Sequence, residues 1–299
     1  MVNIIDSLRE KSVSHLLATK SVQKAWETWK PVINKKIGNP PNADSVLALG
    51  DSLKDVFKST SKAGRSQGTL KVGGISWEGL VALYMNLCLL GSRTVVVSMN
   101  KRMVPEPIRE ATTVQYGSFT SNTESDLLAI TFPRRNEYKK DIEKKDESAN
   151  GVKKIMDNLA KAHFEEYEVG IIQCKTNWND NAQIPMLWDM VYQANGFDDR
   201  NISVGKNNYD INSLKKFTYS FVTVPTNNSK FKKNTAPVNR VHNISGGNYW
   251  GLPSESGICN SLKEIFKKNF SGGINNSRRE DLTKEILKIK SKYSYFDLG

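Results

Sequence analysis

The sequence predicts an α/β protein, with a central β-sheet flanked by helices. Three observations predict it. Apolar residues recur at helical spacing over residues 4–58, the pattern then changes to short β-branched runs, and helical spacing returns near the C-terminus. A single domain is expected, with a helical part at 1–62, a core at 63–224 and an α+β part at 225–299.

The opening helices rest on Ile4, Ile5 and Leu8, then Val22, Trp26 and Trp29, then Val46, Leu49, Leu53 and Val56. Asn39-Pro40-Pro41 sets a break before the third, because a proline disfavours helix at the residue before it. Residues 64–68 and the pair Gly73-Gly74 read as a flexible basic loop. A strongly apolar helix over 75–90 follows, which Gly91 can terminate, and it carries the carboxylate Glu78. Three strands come next, at 94–98, 126–132 and 167–175. The Lys- and Glu-rich stretch 134–166 between the last two reads as a solvated excursion. Asn179 to Asn181 offer an N-cap for a helix ending at Gly196, and a strand at 216–224 follows it. Residues 225–253 read as a polar, turn-rich region. Two basic amphipathic helices, about 258–270 and 279–293, close the sequence.

The 299 residues include 43 Lys and Arg against 31 Asp and Glu, a net charge of +12, which favours a polyanionic partner and nucleic acid first. Cys88, Cys174 and Cys259 are odd in number and far apart, which argues against a disulfide framework. His15, His163 and His242 lack metal-ligand spacing, which argues against zinc hydrolases and histidine-metal nucleases. No apolar run approaches the ~20 residues of a bilayer span, and residues 1–10 lack a signal-peptide pattern, so a cytoplasmic protein is expected.

A lysine that closes an apolar strand needs an explanation. Burying an ammonium costs several kcal/mol (order of magnitude) without a partner or a solvent-lined pocket, so Lys175 is expected to point into a polar cleft near Asp126. Gln173 shares the face of Lys175, two residues away on the strand. Asp126 is a hard oxygen ligand suited to magnesium, Gln173 offers a neutral oxygen, and the main-chain carbonyl of Cys174 could add another. Lys175 would stabilise developing charge and position a nucleophilic water. The bland alternative is an edge strand ending in a solvated lysine, with Asp126 as an ordinary strand-start residue.

These residues resemble the PD-(D/E)XK nuclease superfamily, which includes most type II restriction endonucleases. Asp126 stands at the first Asp position with Ser125 replacing the Pro, and Gln173-Cys174-Lys175 stands at the tripeptide with Gln replacing the acid. The interval from Asp126 to Gln173 is 47 residues (173 − 126), longer than is usual there. The resemblance covers about 75–224. It implies a mixed sheet with a restriction-endonuclease-like core, Mg2+ as cofactor, and Glu78 as an additional carboxylate from the helix before the sheet.

Sequence-specific DNA cleavage also needs groups that reach base edges and phosphates. Arg65, Gln67 and Lys71 sit among glycines. Asn177 and Asn179 follow Lys175 in a polar loop suited to phosphates. Arg240, His242, Asn248 and Tyr249 belong to a polar and aromatic cluster with little expected role in a core. The expected function is a type II restriction endonuclease that cuts double-stranded DNA as a homodimer, with a cognate DNA methyltransferase as its functional partner. Two alternatives are a structure-specific repair or junction nuclease and a non-enzymatic DNA-binding protein.

Overall fold

The computed structural model describes residues 2–60, 70–121, 126–176, 202–224, 234–251, 262–270 and 276–298. Its architecture is α/β, with a mixed five-stranded sheet and flanking helices, as the sequence predicts. The strands are β1 (Thr94–Ser98), β2 (Val114–Tyr116), β3 (Phe119–Ser121), β4 (Leu127–Thr131), β5 (Glu168–Lys175), β6 (Ile202–Val204), β7 (Lys216–Thr223) and β8 (Tyr249–Gly251). The large sheet has the order β1-β4-β5-β7-β8, and a small one has the order β3-β2-β6. The chain divides into two compact units, Met1–Ser12, Ser92–Ile172 and Ala194–Thr218 in one, Val13–Gly91, Gln173–Gln193 and Tyr219–Gly299 in the other.

In the first unit β4 pairs antiparallel with both β1 and β5, in registers that run from Thr94↔Thr131 to Ser98↔Leu127 and from Leu127↔Ile172 to Thr131↔Glu168. Every residue of β4 is buried, so this strand is covered on both faces and shows no polar alternation. Among the described residues no further strand receives the carbonyls on the outer edge of β1. Side chains from helix α1 (Ile4–Ala18) take that place: Arg9 donates to the carbonyls of Thr94 (3.0 Å) and Ser92 (2.9 Å), and Ser12 to that of Val96 (2.8 Å). A buried guanidinium is tolerated there because it faces main-chain oxygens.

The stretch 134–166 corrects the expectation of a solvated excursion. Helix α7 (Ala149–His163) buries Val152, Met156 and Ala160, spaced four residues apart on one face, and runs beside α6 (Glu106–Ala111). Tyr138 is buried against Phe132 and Tyr167, with ring centroids 5.6 and 6.1 Å away. High Lys and Glu content on the outer face hid this inner period. The small sheet was also unexpected. Its strands have three residues each and are partly exposed, too short for an alternation to register, and Gly117 (φ 59°) turns the chain between β2 and β3.

The second unit contains α2 (Lys20–Ile37), α3 (Ala43–Ala48), α4 (Leu53–Ser59) and α5 (Leu70–Cys88). Val22, Trp26, Trp29, Ile33 and Ile37 make the buried stripe of α2, which continues through Pro31 and stops at Gly38. The break at Asn39-Pro40-Pro41 stands where expected, and Asn42 caps α3 by accepting from the Ser45 amide at 2.9 Å. The third expected helix is two short helices joined by a 3₁₀ turn at Leu49–Ser52. Helix α5 begins five residues earlier than expected (75 − 70) and takes Gly73-Gly74 into the helix, so that pair is not a loop. Gly91 (φ 68°) ends the segment as the sequence predicts.

Strand β7 pairs in parallel with β8 through Phe221↔Tyr249, Val222↔Trp250 and Thr223↔Gly251. Helix α8 (Ala236–Ser245) packs Val238 and Val241 onto Phe221. The closing helices are shorter than expected, α9 (Ile265–Asn269) and α10 (Asn276–Ile286), followed by turns and a 3₁₀ turn at Ser294–Phe296. The helix expected to end at Gly196 lies outside the described residues. Among the described residues no helix is long and apolar enough to cross a membrane.

Candidate functional site

Asp126 occupies a bend directly before β4 in the first unit. It is half-buried, and its carbonyl accepts from the amide of Met99 at 3.4 Å. It precedes Leu127, the first β4 residue in the ladder with β5, whose partner is Ile172. Gln173 is the next residue after Ile172.

In the second unit the tripeptide Gln173-Cys174-Lys175 ends β5. Gln173 and Cys174 are buried, and Lys175 is half-buried. The Gln173 side chain is 2% exposed and its Oε1 accepts from the hydroxyl of Tyr219 at 3.2 Å. The main-chain carbonyl of Lys175 accepts from the amide of Val224 at 3.0 Å, which holds the end of β5 to the end of β7. The lysine therefore leaves a strand that is hydrogen-bonded to its last residue.

Glu78 is half-buried on α5 between the buried Trp77 and Gly79. Two contacts fix that turn of helix. Trp77 donates through Nε1 to the carbonyl of Val222 at 3.2 Å, and Gly79 sits so close to α2 that a Cβ there would meet Val22 Cγ2 at 2.5 Å.

Asp126 in the first unit offers a carboxylate, and Gln173 and Cys174 in the second offer an amide oxygen and a main-chain carbonyl; each is a hard oxygen donor of the kind magnesium takes together with water. Among the described residues no group of three or more His, Cys, Asp and Glu side chains comes together.

Of the groups expected to contact DNA, Arg65, Gln67, Asn177 and Asn179 lie outside the described residues, as does Ser125, and Lys71 falls in the first turn of α5. Arg240 and His242 lie on α8. Val238 and Val241 turn inward, Asn239, His242 and Asn243 are exposed, and Arg240 is half-buried. Two residues of the cluster have core roles that the sequence reading did not give them. Asn248 turns inward, donating from Nδ2 to the carbonyl of Tyr219 (3.0 Å) and to Oδ1 of Asn269 (2.8 Å). Tyr249 packs on the Phe221 cluster and meets the His242 ring edge-on at 5.8 Å. Trp250 is buried in β8, so the expectation that this segment has little to gain from a core is corrected. Gly246 and Gly247, with φ of 59° and 80°, make the left-handed turn that brings β8 back beside β7.

Tyr219 itself was missed. Its signal in the sequence is the pair Tyr219 and Phe221, two apart on a strand and so on one face, where a tyrosine hydroxyl beside a core needs a polar partner. A charge feature accompanies it. Between Asp210 and Glu255 the sequence has no acidic residue, yet it carries Lys215, Lys216, Lys230, Lys232, Lys233 and Arg240. Compared with known proteins, the chain matches no family model, no curated protein and no solved structure.

Proposed function

We propose that the protein is a magnesium-dependent endonuclease of the restriction type that hydrolyses double-stranded DNA at specific sites. The observation that carries this reading is the register of β4 on β5. Leu127 pairs with Ile172; Asp126 directly precedes Leu127 in the chain, and Gln173 directly follows Ile172 on β5, with Lys175 two positions further along the face of Gln173. The order α5, β1, β4, β5, β7 in the chain agrees with a restriction-endonuclease-like core.

In this reading Asp126, Gln173 and the Cys174 carbonyl hold the cation, and Glu78 is a further acid. When bound, magnesium supplies polarisation of the scissile phosphate and a more acidic water. Lys175 offers a fixed positive charge to the phosphate oxygens as negative charge grows there. The acid-free segment before Glu255 and the amide-rich outer face of α8 supply phosphate and base-edge contacts, Asn and Arg being suited to adenine and guanine edges. A homodimer would match a palindromic site, and a cognate DNA methyltransferase would protect the host's own copies.

Incubation of the purified protein with plasmid and phage DNA and Mg2+ tests the reading. Discrete, reproducible fragments are expected; smears, or no cutting across varied substrates, overturn it. Lys175→Ala should abolish cleavage and leave DNA binding in Ca2+ largely intact. A preference for branched junctions over linear duplex would move the assignment to a repair or junction nuclease. A non-enzymatic DNA-binding protein is the second reading, favoured by Asp126 being the one carboxylate at the start of β4 among the described residues, and full biological effect in an Asp126→Ala variant would support it.

A further inference from the structure

We infer that the small sheet β3-β2-β6 is a self-association surface on which a second copy of this chain docks; it gives the homodimer of the nuclease reading a contact, and rests on that reading for the use of two copies at one DNA site. The sheet lies wholly within the first unit.

Its two faces differ in chemistry. The registers Tyr116↔Phe119 and Tyr116↔Ile202, Val114↔Ser121 and Val114↔Val204 put Val114, Tyr116, Phe119, Ile202 and Val204 on one face. Gln115, Thr120 and Ser203 share the other, where the Gln115 amide donates to the Ser203 hydroxyl at 3.3 Å across the ladder. The apolar face is incompletely covered. Phe119 is 65% exposed and Val204 39%, at opposite corners of the sheet, and the Phe119 ring stands 6.4 Å from that of Tyr116. Among the described residues Phe119 is the most exposed large apolar side chain, and a partner that covers it recovers the transfer energy that a ring in water forgoes.

Charge selects the occupant. Residues 111–121 and 201–205 contain no Asp, Glu, Lys or Arg, although a quarter of the chain is charged and its net charge is +12. Nucleic acid and acidic partners are held by cations, which these strands lack, whereas two copies of a strongly basic chain repel and meet at least cost through a neutral patch. The edge of the sheet fits the same occupant. Exposed edges are commonly blunted by lysine, proline or a bulge, and β3 has none of these and runs in unbroken register with β2. Among the described residues no strand lies beyond β3 in this sheet. Tyr116↔Phe119 closes the two-residue turn, and bonded and non-bonded pairs alternate along the ladder, so the amide and carbonyl of Thr120 point away from β2. A second β3 laid antiparallel about a two-fold axis through Thr120 takes these groups and sets both Phe119 rings near the axis on one continuous apolar face. Three-residue strands cover less than the roughly 800 Å2 per partner of a stable complex, so self-association is weak alone and gains from two half-sites held on one duplex.

The test is sedimentation velocity on the full-length protein, without DNA or metal, from about 2 to about 200 µM. The wild type should move from monomer toward dimer across that range. Phe119→Glu and Phe119→Lys should each weaken self-association at least about ten-fold, through like charge near the axis, and keep the thermal midpoint of the wild type. An equimolar mixture of the two variants should restore association, because opposite charges then meet. Leu287→Glu, at an exposed apolar position of the second unit, should change nothing. Association that both Phe119 variants retain, or a mixture that stays monomeric, overturns the proposal. So does a wild type that is monomeric at the highest concentration, and loss of duplex DNA binding by Phe119→Lys would then assign the face to nucleic acid. Cleavage of plasmid DNA by the same preparations separates the two ideas. Phe119-dependent dimers without any cutting sink the nuclease reading alone, and cutting by a protein that is monomeric throughout sinks the dimer surface alone.

Discussion

The indole of Trp77 donates to the main-chain carbonyl of Val222 at 3.2 Å, and both residues are almost wholly buried. Helix α5, which carries Glu78, is thereby tied to the strand that carries Tyr219. Trp77→Phe removes the donor, leaves a carbonyl short of a partner and opens a small void. The expected loss is about 2–4 kcal/mol of unfolding free energy. Urea unfolding checks it, with the midpoint falling and the slope unchanged.

The packing of α2 on α5 depends on a missing side chain. At Gly79 an added Cβ would stand 2.5 Å from Val22 Cγ2, closer than any real contact. Gly79→Ala should gain about 1 kcal/mol of helix propensity and still destabilise, because overpacking costs about 1–3 kcal/mol. Val22→Ala should relieve the clash, so the double variant should be more stable than the sum of the single losses predicts. A strictly additive cycle would show that the two helices simply move apart.

Near the C-terminus, the ammonium of Lys30 at 2.7 Å, followed by the indole donor of Trp26 at 2.8 Å, holds the Asp297 carboxyl below the usual carboxylate range. A carboxyl with a depressed folded pKa stabilises above its unfolded value of about 3.9 and loses that contribution as pH falls through the folded value. Asp297→Asn retains an acceptor for Trp26 and tolerates the left-handed backbone at that position (φ 53°). The stability gap between wild type and variant should be present at neutral pH and close below about pH 4. Thermal midpoints across that range decide it; a gap that persists in strong acid would show that the charge is not its source.

Two phenols respond to alkali instead. Tyr167 donates to the Tyr138 hydroxyl at 3.1 Å, and Tyr138 donates to the carbonyl of Leu159 at 3.2 Å. Burial pushes Tyr138 up to about 12 and Tyr167 further still. Folded values above the unfolded value of about 10 mean that the stabilisation is intact below that pH and is lost as pH rises through the folded values. Tyrosinate absorbance in a Tyr138→Phe, Tyr167→Phe double variant should lose amplitude only at the alkaline end of the titration, together with unfolding. A loss in the normal range would contradict the buried placement.

Elements whose residues repeat one strong pattern were legible in the sequence. The Val-rich run of β1, the apolar run that ends in Gln173-Cys174-Lys175, and the stripe of Val22, Trp26 and Trp29 all appear near their expected bounds. The buried face of α7 was hidden because only three of its fifteen residues, Val152, Met156 and Ala160, are buried, among lysines and other polar residues. The strand at Trp250 was hidden because its glycines and asparagines carry the same letters as a surface loop, and only pairing with β7 turns them into a strand.

The candidate site divides along the same line. Residue chemistry picks out Asp126, Gln173 and Lys175 in the sequence, since a carboxylate, an amide and an ammonium at strand ends are unusual enough to notice. The pairing of Tyr219 with Gln173, 46 residues away, and the inward turn of Asn248 belong to the tertiary structure alone. Spacing along a strand or helix is a local property that the sequence carries. The hydrogen-bond partner of a buried amide is set by which strand lies beside it, and that is decided only when the sheet closes around its whole core.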